Sequence, residues 1–235
     1  MPKRSRTDSY ASRKRSRFTP RRRKTKYAAK GRGRIAKICR QVIMKKAEPK
    51  QKSYDHGKTE LYHNVFANFS LNGSSTIPLV GDTQQQRDGD QINCGGYLIR
   101  MLLGQKADRP NVTYRYMIAK TQKGEAYDYN AWFSNKMNNI LLDSPDKDHI
   151  KVLKSGTFKP HMVAMSNVGG GLGREFTVPF KLWLPYKKLL KLSGTTVMND
   201  GDLHLIIGAF DAFGSLITDN IAYTDFTQTM YYKDP

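Results

Sequence analysis

The sequence predicts an all-β domain, an antiparallel two-sheet sandwich or barrel, behind a polycationic N-terminal arm. Three observations predict it. Seven or eight segments of period-two hydrophobic alternation run from Lys58 to the C-terminal residues, the signature of strands with one buried face. Polar and glycine-containing loops, not helices, separate them, which argues against strand–helix–strand units and a parallel sheet. The third is the charge distribution: residues 1–52 hold 21 Lys and Arg against two acids, Asp8 and Glu48, while residues 53–235 hold 19 bases against 18 acids. The arm is therefore +19 and the remainder +1.

Residues 1–52 divide in two. Met1–Lys30 is a low-complexity mixture of Arg, Lys, Ser and Thr. Its like charges repel and it has little to bury, so it is expected to be disordered when free. Ile35–Lys46 differs, because Ile35, Ile38, Cys39, Val42 and Ile43 follow the i, i+3, i+4, i+7, i+8 spacing of one helix face, with Arg34, Lys37, Arg40, Gln41 and Lys45 opposite. An extended first strand is the alternative for this segment. Residues 53–235 are long enough for one domain with a sizeable core.

Within the domain, Leu61, His63, Val65, Ala67, Phe69 and Leu71 form one face of a strand that Asn72-Gly73-Ser74-Ser75 ends. Gly81–Gly89 reads as a loop. Tyr97, Ile99, Met101 and Leu103 alternate next, and Gly104–Asn111 turns the chain. Val112, Tyr114, Tyr116 and Ile118 form another face. Phe133, Met137, Ile140 and Leu141 share a helical face, so a single inserted helix is expected over Ala131–Leu142, closed by Pro145 and the acids Asp143, Asp146 and Asp148. Val152–Met165 gives weaker strands interrupted by Gly156 and Pro160. Phe176, Val178, Phe180, Leu182 and Leu184 alternate cleanly, with Pro179 facing outward, which places that strand at an edge or bulge. Leu203–Phe210 and Ile221–Tyr232 complete the set.

Several chemistries lack their signatures. Val168–Arg174 is glycine-rich, but Gly173 is followed by Arg174-Glu175 and then a strand, where a phosphate loop needs Lys-Ser/Thr and a helix. The carboxylates of Asp82–Asp90 and Asp143–Asp148 fall in turn-rich stretches, where Asp serves local hydrogen bonding. His56, His63, His149, His161 and His204 have no paired spacing, and His63, on an apolar face, reads as a core imidazole. Cys39 and Cys94 match no zinc spacing and read as reduced thiols. No catalytic constellation, metal site or cofactor motif emerges, and no enzyme is expected. No apolar run reaches the roughly 18 residues of a membrane span. The basic N-terminus has no apolar segment behind it, so it does not read as a secretory signal. Asn68, Asn72 and Asn111 are then not expected to be glycosylated.

The chemistry lies in the arm. Lys3, Arg4, Arg6, Arg13, Lys14, Arg15, Arg17, Arg21, Arg22, Arg23, Lys24, Lys26, Lys30, Arg32, Arg34, Lys37 and Arg40 are the candidate nucleic-acid-binding residues. Such cations bind phosphates of any sequence and release counterions. The arm's aromatics, Tyr10, Phe18 and Tyr27, are too sparse for a base-stacking platform, so no sequence readout is expected. Arg13, Lys14, Arg15, Arg17, Arg21, Arg22, Arg23 and Lys24 also match a nuclear-import address. Tyr127, Tyr129 and Trp132 are candidate exposed aromatics for subunit contact or host attachment.

Beyond the arginine-rich start, the chain carries Val42-Ile43-Met44-Lys45-Lys46-Ala47-Glu48-Pro49-Lys50 and Thr59-Glu60-Leu61-Tyr62-His63-Asn64. Gln86-Arg87-Asp88-Gly89-Asp90-Gln91-Ile92 and Asp108-Arg109-Pro110-Asn111-Val112-Thr113-Tyr114-Arg115 follow, and it ends on Tyr231-Tyr232-Lys233-Asp234-Pro235. In this order, over nearly the whole chain, it resembles the capsid proteins of circular, Rep-encoding single-stranded DNA viruses. The family's end commonly reads Tyr-Phe-Lys-Asp-Pro, so Tyr232 stands where a Phe is usual. The resemblance implies an eight-stranded jelly roll and an icosahedral shell of about sixty copies, with the arm inside on a circular single-stranded DNA genome. It implies a host import receptor and a host attachment factor as further partners, and the virion and host nucleus as locations. The competing reading is a basic cellular nucleic-acid-binding protein of ribosomal or chromatin type. An enzyme acting on nucleic acid is a third, and would need Asp82, Asp88 or Asp90 as metal ligands.

Overall fold

In the computed structural model, residues 47–106, 108–109, 111–125, 127–135, 139–160, 176–212 and 215–234 are described, with Ile35, Ile38, Cys39 and Val42. The alternating segments become strands β1 (Pro49–Tyr62), β2 (Val65–Ser70), β3 (Gln91–Gln105) and β4 (Thr113–Thr121). A short helix α1 (Tyr129–Trp132) and the small strands β5 (Phe133–Asn135) and β6 (Ser144–Pro145) follow. Then come β7 (Ile150–Phe158), β8 (Phe176–Ser193), β9 (Thr196–Val197), β10 (Leu203–Phe210) and β11 (Asn220–Lys233).

One sheet runs β1-β11-β3-β8-β9 and the other β10-β4-β7, with every strand pairing antiparallel. The chain at β2 extends the second sheet along β10: Asn64 N–H donates to the Ala209 carbonyl (2.9 Å) and Leu71 N–H to that of Leu203 (2.7 Å). The short strands β5, β6 and β9 aside, the sheets take the first, eighth, third and sixth strands and the second, seventh, fourth and fifth. That winding is the jelly roll.

The main core lies between the sheets. Leu61, Tyr97, Ile99, Met101, Leu182, Leu184 and Phe226 of the first sheet face Tyr114, Ile118, Leu205 and Ile207 of the second. A second core lies on the outer face of β4 and β10, where Met117 and Ile206 meet Phe66, Trp132, Phe133, Ile140 and Ile150. Strand β10 is thus covered on both faces, which is why Leu-His-Leu-Ile-Ile-Gly-Ala carries almost no polar alternation. At Pro179, opposite Leu102 of β3, β8 is paired on one side only, the edge position expected for a proline in a strand.

Two expectations are corrected. The strand read over Leu61–Leu71 is two strands in different sheets, and the first begins nine residues before Lys58, at Pro49. Asn64 turns the corner with φ +58°, and its Oδ1 accepts the Ile140 N–H at 2.8 Å. Beyond the corner Val65 is exposed and Phe66 buried, the reverse of the alternation expected. The helix expected over Ala131–Leu142 is only the four residues of α1. Phe133–Asn135 instead pairs with Ser144–Pro145. Phe133 and Ile140 do share a face, but that face packs on β4 and β10 rather than along a helix.

Gly208 shows how tightly this second core closes. A Cβ there would meet Ile140 Cδ1 at 2.4 Å and the Phe66 ring at 2.7 Å. Gly208→Ala should therefore cost about 1–3 kcal/mol by overpacking, read as a lowered unfolding midpoint in urea with an unchanged slope.

Candidate functional site

The candidate nucleic-acid-binding and import residues from Lys3 to Arg40 lie outside the described residues, as do His161 and the glycine-rich Val168–Arg174. Of the amphipathic segment, Ile35, Ile38, Cys39 and Val42 are helical and exposed.

The first described base of residues 1–52 is Lys50, and it is buried. It opens β1 opposite Tyr232 of the last strand. Its Nζ lies 2.9 Å from Asp88 Oδ1 and 3.0 Å from Asp234 Oδ2. The hydrogen bond to Asp88, with that to Asp234, holds the ammonium well above its ordinary value against the opposing effect of burial. Asp88 N–H also donates to Asp234 Oδ2 at 3.3 Å, and the Tyr232 hydroxyl donates to the Gln86 carbonyl at 2.9 Å. The Tyr232 hydroxyl thus holds the loop before β3.

Arg87 completes this corner. It is fully buried, donating to the carbonyls of Pro78 (3.1 Å), Gly194 (2.8 Å) and Gly89, and to Asp90 Oδ1 at 3.2 Å. One guanidinium therefore fixes the β2–β3 loop to the β8–β9 turn, a task suited to its rigid fork. At the other end of the sandwich, Arg109 reaches Asp211 at 3.8 Å and Asp219 at 3.6 Å, joining the β3–β4 and β10–β11 loops. Lys50, Arg87, Arg109, Tyr232 and Asp234 are thus structural clasps.

A third charged cluster joins the sheets. Asp200 accepts hydrogen bonds from Lys120 of β4 and from Tyr186 and Lys188 of β8. Burial alone would raise the Asp200 carboxyl, but these donors outweigh it and hold it below the ordinary range.

The remaining candidates are accounted for by packing. Asp88 and Asp90 are engaged by Lys50 and Arg87, and Asp143 accepts the Tyr129 hydroxyl at 2.6 Å. Among the described residues no group of three or more His, Cys, Asp or Glu side chains is placed to hold a metal ion. Cys94 is buried, which pushes its thiol up to about 12. The reading of Tyr127, Tyr129 and Trp132 as exposed contact residues is corrected. Trp132 is fully buried, and Tyr127 and Tyr129 pack against the same cluster, because the insertion folds its rings onto the outer face of β4 and β10.

His63 accepts the Asp211 N–H at its Nδ1 (3.2 Å) and is buried beside Phe210. His204 shares a hydrogen bond with Asn68 and packs between Tyr127 and Trp132. His56 stacks on Phe226 with centroids 4.2 Å apart. Burial lowers all three below their ordinary 6.5. The exposed His149 is raised by its hydrogen bond to Glu125.

No family model matches the sequence, and no curated protein matches it. Among solved structures, the infectious bursal disease virus VP2 subviral particle is similar at TM-score 0.34 and 9% identity, covering 78% of this chain and 32% of that one. The T13 particle of the same virus gives TM-score 0.32 and 10% identity, with 79% and 31% covered. A CocE/NonD family hydrolase from Staphylococcus aureus gives TM-score 0.30 and 10% identity, with 80% and 37% covered. The chain spans about a third of the length of each. At these values the strand order, not the superposition, defines the class: a jelly-roll β-sandwich.

Two outcomes follow from the charged and titrating groups. Lys50→Ala leaves Asp234 buried without its cation and should destabilise the domain by about 3 kcal/mol, measured by urea unfolding. His56, His63 and His204 bind protons less readily folded than unfolded, so their contribution is full above pH 6.5 and is lost as pH falls through their lowered values. The melting temperature should therefore drop between pH 7.5 and pH 5, and His204→Gln should flatten that drop.

Proposed function

We propose that this chain is a structural capsid protein that self-assembles into a small icosahedral shell and packages circular single-stranded DNA through residues 1–52. The observation that carries the reading is the union, in one 235-residue chain, of a +19 segment and an eight-stranded jelly roll. Jelly rolls serve in viral capsids, lectins and cupins. Only the first use gives a polycation of this size a task.

The physics of assembly follows from the charge division. Free subunits carry arms that repel one another. Nucleic acid removes that repulsion and raises the local subunit concentration. Domains of net charge +1 can then pack side by side, and repeated contacts close the shell. Residues 1–48, which precede β1, hold 19 bases and two acids, and sixty arms of +17 neutralise about 1,000 phosphates, a genome on the kilobase scale. The protein acts as scaffold, not enzyme. The runs Arg13–Arg17 and Arg21–Lys24 support import into the host nucleus by a nuclear import receptor, with the virion as the final location.

Negative-stain electron microscopy of the purified protein, with absorbance at 260 and 280 nm, tests this directly. Uniform closed particles with excess 260 nm absorbance are expected. Deleting Met1–Lys30 should leave the β circular-dichroism spectrum intact and abolish the 260 nm excess. Packaging that survives the deletion would refute the role of the arm. Monomers or dimers that bind DNA but never close, across salt and pH, would favour the cellular binder.

A further inference from the structure

The domain's near-neutrality conceals a division within it. Residues 150–198 hold eight bases and one acid, Glu175, a net of +7. The rest of residues 53–235 holds 11 bases and 17 acids, a net of −6. The fold concentrates this imbalance, because residues 150–198 supply β7 and β8, the outer long strands of the two sheets. They meet at one side of the sandwich, where Lys154 Nζ donates to the Trp183 carbonyl at 3.3 Å. Neither strand contains an acid, and neither does β3, the neighbour of β8.

On β8, Leu182, Leu184 and Tyr186 face the core, so Lys181, Trp183 and Lys187 face outward. Arg100 of β3 is directly opposite Lys181 and is also exposed. The nearest carboxylate of this sheet face, Asp225, lies on β11 two positions from the partner of Arg100 without forming an ion pair with it, and Asp55 is one strand further on in β1. Two cations facing each other across strands are unfavourable until an anion lies over them. Beside them stands Trp183, 44% exposed, whereas Trp132, the other tryptophan, is fully buried. The indole reaches over β3 because residue 96 is glycine: a Cβ there would come within 2.7 Å of the ring. It meets Tyr231 of β11 edge-on, with centroids 5.8 Å apart.

An exposed indole two residues from an unneutralised cation pair, roughly 6.7 Å along a strand, offers a π face and a phosphate site within the span of one nucleotide. We propose that the outer face of β3 and β8 is a second, sequence-independent site for single-stranded nucleic acid. Trp183 stacks a base, and Arg100 and Lys181 hold the flanking phosphates. This rests on the packaging reading for the identity of the polyanion. The aromatic group favours nucleic acid over a sulfated glycan, which presents the charge without a base.

The test uses the full-length protein and 20-residue thymidine oligonucleotides carrying 5-iodouracil, which photo-crosslinks to the aromatic ring it stacks on. Mass spectrometry should place a crosslink at Trp183. Arg100→Glu with Lys181→Glu, both at exposed positions, should cut its yield at least fivefold with an unchanged circular-dichroism spectrum. The unmodified oligonucleotide should quench the exposed tryptophan, while an abasic backbone of equal charge and heparin should not. Crosslinks confined to residues 1–52, or equal quenching by heparin and the abasic backbone, would overturn the proposal. Closed particles rich in nucleic acid with crosslinks only in the arm would sink this site and leave packaging standing. A crosslink at Trp183 from protein that never closes would do the opposite.

Discussion

The fold depends on pairing its first strand with its last. Pro49 lies opposite Lys233, and β11 in turn pairs with β3, so the centre of one sheet exists only once the whole chain has been made. Closing loops of this length has an entropic cost that local contacts cannot offset, which makes such topologies slow to form. Three buried ions, Lys50, Arg87 and Asp234, lie at this seam. Lys50, Asp88 and Asp234 join the two strand ends to the β2–β3 loop, and Arg87 joins that loop to the β8–β9 turn. Buried ion pairs add little net stability over apolar packing, yet mispairing them is expensive. A register slip of one residue along β1 would strand Lys50 without its carboxylates. The clasp thus specifies which strand pairs with which more than it strengthens the pairing.

Much of this was legible in the sequence, and the limits have physical causes. Alternation located β3, β4, β8, β10 and β11, because each has at least one face against the main core. It failed at Asn64. Apolar residues continue in phase across the corner, so nothing in the period marks the change of sheet; only a residue tolerant of positive φ hints at it. It failed again in the insertion. There Phe133 and Ile140 have helical spacing, but tertiary contacts hold them: Asn64 accepts the Ile140 N–H, and Arg115 donates to its carbonyl. The charged clasp at the ends of β1 and β11 was not legible either. Gln86–Ile92 and Tyr231–Asp234 are remote in sequence and adjacent in space, which spacing cannot reveal.

Net charge resolves one scale of the chain and hides another. Dividing the chain at residue 52 isolates the polycation. Summing the rest hides that bases and acids of the domain are segregated, because a net charge carries no geometry. Topology supplies it: β7 and β8 are consecutive long strands, and the jelly roll sends them to neighbouring edges of opposite sheets. A local excess of lysine in the sequence is thereby carried to one side of the sandwich.

An ordinary explanation exists for lysines on edge strands, since charge there discourages edge-to-edge pairing with other chains. It accounts for Lys154 on β7. It does not account for Arg100, which lies on β3, hydrogen-bonded on both sides by β11 and β8 and with no edge to protect. Nor does it account for Trp183, because an exposed indole on a lysine-rich edge invites the association that the lysines deter. Gly96 leaves room for that ring, and Arg100 and Lys181 are held opposite each other beside it. Edge protection requires none of these three features. A ligand that brings phosphate and base together requires the ring and the cation pair, and the glycine makes room for the ring.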